Sequence, residues 1–209
     1  FAEFDKPVNM HRGVQVAGLV CDEARHDPER GFAGGFNILA ANCGLPVYAA
    51  SLKPRAWGRA YAGWIEAHDH LAMMTFCGED LAMESNRVTL HASEKDQHGL
   101  PIPCLHIDDH QNEVAMKNYG FRKLRELYDA MGARRAIENH SEVIYHHLGV
   151  CRMSEKPRDG VVNPWGQTHD IPNLFISDGS QFPSSGAANP TLTIVALAIR
   201  QAEYIAEKM

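Results

Sequence analysis

Hydrophobic positions fall into two regimes along the chain. Up to about residue 105 they come in short runs (VQVAGLV, NILAANCGLPVYAASL, LAMMTFCG, NRVTLHA) broken by Gly, Pro and Asn. Alternation at Val14 and Val16, and at Val88 and Leu90, favours strands over helices. This half therefore reads as a mixed fold with several antiparallel strands, and SEKDQHGLP reads as a turn. From Asn112 the spacing changes to about 3.6 residues. Val114, Phe121, Leu124, Tyr128 and Met131 share one stripe, with capping side chains in DDHQN before it and Gly132 after it, which predicts a helix. A loop rich in Pro, Gly and Asp follows, then NLFIS, a compact apolar run that predicts a strand ending at Asp178-Gly179. Pro190 opens a last helix, TLTIVALAIRQAEYIAEKM, since proline loses nothing in a first helical turn. Its start is apolar all round, which predicts burial, and its tail is amphipathic.

Composition narrows the classes. The 209 residues are 44 % hydrophobic and 22 % charged, an ordinary soluble globular balance. A net charge of −6 with mixed signs offers no basic stripe for phosphates, which argues against nucleic acid. The densest apolar run, Leu192 to Ile199, falls short of the roughly 20 residues that cross a bilayer. Five cysteines without a CxxC pair suggest reduced, mostly buried thiols rather than a disulfide framework or zinc ribbon. The chain starts at Phe1 with no signal-peptide pattern, so it reads as part of a longer protein, and the compartment stays open between cytoplasm and periplasm.

Candidate chemistry gathers in the last 65 or so residues. YHHLGVCRM places His146 and His147 beside Gly149 and small neighbours. Histidine is the side chain most easily poised as a base near neutral pH. Asp178 lies past a predicted strand end, where open α/β sheets meet ligands. Asn189 stands before a helix whose N-terminus would stabilise an anion. Taken singly, these are also a surface or core His pair, a plain turn and an ordinary helix cap.

Taken together and in order, HHLGVCRM followed by GVVNPWGQTHDIPNLFISDGSQFPSSGAANPTLTIVALAIRQAEYIA resembles the C-terminal signature of the glucose–methanol–choline (GMC) family of FAD-dependent oxidoreductases. GEDLAMESNRVTLHASEKDQHGLPIPCLHIDDH is similar to the preceding substrate-domain stretch. Within the family the likeness points to bacterial sugar, polyol and sugar-acid dehydrogenase large subunits.

The resemblance implies a function. His146 matches the family's first His and is implied as the general base, with hydride passing to FAD. Asn189 takes the second position and is implied to orient the substrate oxygen. Asp178, Gly179, Asn189, Pro190 and Thr191 are implied FAD contacts, and no metal is implied. The implied fold is mixed α+β and α/β, with an antiparallel-sheet substrate-binding domain over about 1–140. Residues 141–209 would then supply a C-terminal strand and helix that complete an FAD-binding Rossmann-like domain. Implied partners are a small alcohol or sugar, an electron-transfer partner, and an N-terminal FAD domain outside this chain.

This sequence departs from the pattern in two places. Val150 stands where the family usually has Thr, and no GxGxxG follows a strand; GFAGGF has the wrong spacing.

Two other readings stay in view. His68 with His70, or His106 with Asp108, Asp109 and His110, offer metal-ligand chemistry, but solvated polar turns explain these residues better. A catalytically inactive substrate-domain fragment or binding module that docks to another polypeptide is the alternative to an enzyme. Trp57, Trp64 and Phe76 either line a substrate pocket or fill a core.

Overall fold

The computed structural model describes residues 1–53, 56–140 and 146–208. It divides the chain into two compact units, one of residues 1–78 and 114–143, the other of 79–113 and 144–209. The sequence reading kept 79–113 in the first half; here that stretch joins the C-terminal segment.

The first unit is built on an antiparallel sheet. Its strands are β1 (Ala2–Glu3), β2 (Val16–Val20), β3 (Phe36–Ala41), β4 (Leu71–Gly78) and, C-terminal to the long helix, β7 (Arg135–Ala136), in the spatial order β2-β3-β4-β1-β7. The β3/β4 register runs from Phe36 opposite Gly78 to Ala41 opposite Met73. Leu45–Leu52 and Gly58–Glu66 are helices α1 and α2, so the run GLPVYAASL, read as part of a strand-rich half, is helical. Gly44 and Pro46 open it in the manner of a helix start, and only Tyr48 and Leu52 are buried.

Two apolar clusters anchor this unit. Tyr48, Leu52, Trp64 and Leu71 form one. Phe36, Ile38, Met116 and Leu124 form the other, with Phe76 packed on it. Trp64 and Phe76 therefore belong to core packing, whereas Trp57 is 88 % exposed. The long helix α3 (Gln111–Ala130) lies over the sheet, and Gly120 permits the approach, since a Cβ there would come within 3.1 Å of the Phe76 ring. Its buried apolar side chains are Met116, Leu124 and Tyr128, while Val114 and Met131, expected on the buried stripe, are 45 % and 54 % exposed. The seam is thus rotated from the predicted one because Gly120, invisible to a hydrophobic count, occupies the contact line. Gly132, at φ 80°, ends the helix, and Ala133 N–H donates to the Tyr128 carbonyl at 3.0 Å, as a left-handed C-terminal stop requires.

The second unit holds a hairpin of β5 (Arg87–Lys95) and β6 (Pro101–His106). Asp96 makes its turn by accepting from His98 N–H at 2.8 Å and Leu100 N–H at 2.9 Å. At the hairpin's base, Glu113 Oε2 accepts from His110 N–H at 3.2 Å, capping the first turn of α3 from the third helical position.

From His146 onward the backbone is mostly irregular until α4 (Thr191–Lys208). The strand predicted for NLFIS does not form; Phe175 makes an isolated antiparallel bridge with Gln167. The run is short and finds no ladder partner beyond that one residue.

The predicted burial of the start of α4 is also corrected: Leu192 is 85 % exposed, Val195 49 % and Ile199 56 %. An apolar surface all round needs cover on several sides. Only the side bearing Ile194, Gln201 and Tyr204 is packed within this unit.

Among the described cysteines none is paired, but only Cys43 is buried and Cys21 is exposed, against the expectation of mostly buried thiols.

Candidate active site

All six residues singled out by the sequence lie in the second unit, on two backbone segments and one helix start. The segment after His146 runs beside the turn after Asp178. Gly149 N–H donates to the Gly179 carbonyl at 3.2 Å, Cys151 N–H to Ser180 at 3.0 Å, and Met153 N–H to Gln181 at 2.8 Å. This short ladder is possible because Gly149 and Val150 both take left-handed backbone, at φ 86° and 67°. Gly179 is buried, and a Cβ there would meet Leu148 Cδ2 at 2.6 Å and Ile194 Cδ1 at 3.3 Å. The glycine thus lets the His146 segment and the first turn of α4 close on the same point.

The loop between Gln181 and Asn189 is tethered. Asp80 N–H donates to Ser185 Oγ at 2.6 Å, and Ser185 N–H to the Asp80 carbonyl at 3.3 Å. α4 is tied down by Gln201, which is 5 % exposed and donates through Nε2 to the carbonyls of Ile176 at 2.8 Å and Trp165 at 3.1 Å. Trp165 stacks on Tyr204 with centroids 4.9 Å apart, and the Arg200 guanidinium lies over the Trp165 ring. Sequence reasoning missed Gln201, because between Arg200 and Glu203 in the amphipathic tail of the helix it reads as an ordinary surface residue.

The central result is that His146 Nε2 and Asn189 Nδ2 lie 3.2 Å apart, although 43 residues separate them. An amide nitrogen only donates, so Nε2 accepts here and keeps its proton on Nδ1. That is the tautomer of a neutral imidazole with its lone pair turned towards Asn189. His147 is exposed and its carbonyl lies over Gly179. Asp178 accepts from Ser180 N–H at 2.8 Å, and the Ser180 hydroxyl and N–H together hold its carboxyl below the usual carboxylate range. Asp178, Asn189 and Thr191 are exposed and Pro190 is half-buried, so the start of α4 is open.

Three of the metal-ligand candidates read from the sequence, His70, His106 and His110, are engaged in other contacts. His70 Nδ1 lies 3.0 Å from the Phe4 carbonyl, His106 Nε2 is 2.8 Å from Thr89 Oγ1, and His110 Nε2 is 3.2 Å from Ser85 Oγ. Among the described residues no helix is long and apolar enough to cross a membrane.

The chain is similar to known enzymes along nearly all its length. It is 38 % identical over 210 residues to 2-methyl-1,2-propanediol dehydrogenase of Mycolicibacterium austroafricanum, an alignment covering 95 % of this chain and 38 % of that protein. It is 27 % identical to the gluconate 2-dehydrogenase flavoprotein of Pantoea cypripedii, over 94 % of this chain and 34 % of the relative. The fructose dehydrogenase large subunit of Gluconobacter japonicus is 33 % identical over 61 % of this chain and 24 % of its own length. The chain thus spans little more than a third of the length of the first two.

The fold is similar to that of pyridoxine 4-oxidase from Mesorbium loti, with a TM-score of 0.58 at 16 % identity, covering 100 % of this chain and 41 % of that one. The GMC oxidoreductase C-terminal profile matches residues 82–198. With more than half of its residues matched by that profile, the chain belongs to the GMC oxidoreductases, a family of FAD-dependent enzymes that act on alcohols and sugars.

Proposed function

We propose that this chain is the C-terminal catalytic part of an FAD-dependent oxidoreductase that oxidises a CH–OH group of an alcohol, polyol or sugar. His146 is the general base and Asn189 orients the substrate oxygen. The observation that carries the reading is the 3.2 Å contact between His146 Nε2 and Asn189 Nδ2. A substrate hydroxyl set between the two donates its proton to Nε2 and accepts a hydrogen bond from the Asn189 amide. As the proton moves to Nε2, that amide stabilises the negative charge growing on oxygen.

When bound, FAD supplies the hydride acceptor that no side chain offers. Asp178, Gly179, Asn189, Pro190 and Thr191 are the residues that would hold it. They fit such a group: the start of α4 is open, its first N–H groups lack intrahelical partners, and its positive dipole end suits an electron-rich ring edge. The exposed Leu192 and Val195 beside it are apolar surface that a further domain would cover. On this reading α4 completes an FAD-binding Rossmann-like domain, and the diphosphate cradle comes from a part of the enzyme outside these residues. An electron-transfer partner belongs to the same proposal.

The test is turnover and flavin retention in the holoenzyme. His146→Ala is expected to lower kcat by about 10²- to 10⁴-fold while the flavin absorbance stays with the protein through desalting. Asn189→Ala is expected to lower kcat by about 10²- to 10³-fold. Undiminished turnover in His146→Ala would overturn the assignment. The alternative, an inactive docking module, rests on the exposed apolar face of the β5/β6 hairpin, where Leu90 and Leu105 are 68 % and 61 % exposed. It predicts no alcohol-dependent flavin reduction in the holoenzyme at any substrate concentration.

A further inference from the structure

We propose that His11, His68 and Asp69, in the first unit, form a binding site for a borderline divalent transition-metal ion of the zinc type. Two short helical turns carry the three residues, Met10–Arg12 and His68–His70. The first is fixed by Met10, which is 8 % exposed in the core, and by Val8 N–H and Asn9 N–H, which both donate to the Asp69 carbonyl at 2.8 Å. The two turns are therefore held together by backbone before any ion is present. One candidate ligand atom from each of the three side chains lies within 4.8 Å of the others.

The ring nitrogens are set for ligation. His68 Nε2 lies 3.3 Å from the Cys43 carbonyl, which only accepts, so Nε2 carries the proton and Nδ1 keeps its lone pair. A backbone carbonyl orienting one imidazole nitrogen in this way is the usual support behind a metal-bound histidine. His11 Nε2 lies 3.6 Å from Asp69 Oδ1, and His11 Nδ1 is buried without a hydrogen-bond partner among the described residues. The His11 and His68 rings face one another with centroids 4.6 Å apart.

With zinc–nitrogen and zinc–oxygen distances near 2.0–2.2 Å, a tetrahedral shell separates its ligand atoms by roughly 3.3 Å. The 3.6 Å pair is close to that value already. The Asp69 side chain, 59 % exposed, is free to turn inward. Arg12 Nε, 3.2 Å from His11 Nε2, must swing aside, and Arg12 is exposed. Two imidazoles and a carboxylate suit zinc and its neighbours rather than magnesium or calcium, and three protein ligands leave a fourth position for water. The Cys43 thiol stays out: its carbonyl is what faces His68, and its Sγ lies 3.7 Å from the Gly44 carbonyl. This inference is independent of the flavin reading.

The experiment is metal content of the full chain after stripping with EDTA and dialysis against micromolar zinc, read by mass spectrometry, with cobalt(II) absorption as a second probe of geometry. About one zinc per chain is expected. Asp69→Asn and His68→Gln should each weaken binding about tenfold or more with unchanged far-ultraviolet circular dichroism, while His106→Gln and His110→Gln should bind as the unaltered chain does. Asp69 is exposed, so Asp69→Asn decides the matter if His68→Gln fails to fold. No retained zinc, or zinc binding that Asp69→Asn leaves unchanged, overturns the site.

Discussion

Val150 is a β-branched residue at φ 67°, a conformation that costs L side chains roughly 1–2 kcal/mol. It is 56 % exposed, so little packing is lost on removing the side chain. Val150→Gly is expected to raise stability, because the relief exceeds the roughly 0.5–1 kcal/mol of chain entropy that glycine adds. A gain of about 0.5–1 kcal/mol corresponds to a Tm rise of about 2 °C, checked by calorimetry. Gly166, at φ 73°, goes the other way. A Cβ there would fall 2.1 Å from Gln201 Nε2 and 2.7 Å from the Ile176 carbonyl, so Gly166→Ala should destabilise by about 2–4 kcal/mol.

Asp178 gives a pH prediction. Its folded pKa is depressed by Ser180, so its contribution is fully present above the ordinary value of about 3.9 and is lost as pH falls through the lower folded value. Carboxyl-carbon NMR should show Asp178 titrating below the usual aspartate range. None of this backbone detail was legible in the sequence, where Val150 was only a departure from a motif. The His146–Asn189 pair was legible through family resemblance alone, since no local spacing links positions 43 residues apart.

At the scale of elements, α4 shows how one polar residue fixes a helix. Gln201→Leu removes the donor that the half-buried carbonyls of Trp165 and Ile176 share, at a cost of about 1–3 kcal/mol. Chemical denaturation should report that loss with far-ultraviolet helicity unchanged. Periodicity revealed α3, alternation at Val88 and Leu90 revealed β5, SEKDQHGLP marked the turn after it, and Pro190 marked the start of α4. Periodicity failed for α1, whose run of Leu45, Val47, Tyr48 and Leu52 has no polar face to set a period, and for NLFIS, whose apolar character speaks of cover rather than pairing. The exposed start of α4 was misread for a related reason: a helix apolar all round signals a need for burial without saying what supplies it.

The two units of the molecule are stabilised differently. The first has two apolar clusters. The second centres on Val162, fully buried, with the buried polar residues Thr168, Gln181 and Gln201 and a mesh of loop hydrogen bonds. A face of its hairpin, with Val88 and Leu90 opposite Leu105 and Pro103, is exposed apolar surface, as is the Leu192–Val195–Ile199 stripe. The isolated chain is therefore expected to bind a hydrophobic dye such as ANS strongly, and Leu90→Lys with Leu192→Lys should reduce the fluorescence markedly. Dye binding no greater than that of a typical globular protein would show these faces to be covered.

The three tryptophans fall into three distinct settings: Trp57 almost bare, Trp64 buried beneath the Arg135 guanidinium at 4.0 Å, and Trp165 stacked on Tyr204. Trp165 is the only one in the second unit. The protein thus carries its own optical labels, and with Trp57 and Trp64 replaced by phenylalanine, the remaining emission becomes a private reporter of the part that bears His146 and Asn189. Comparing its melting curve with that of Trp165→Phe would reveal whether the two units unfold together or in turn.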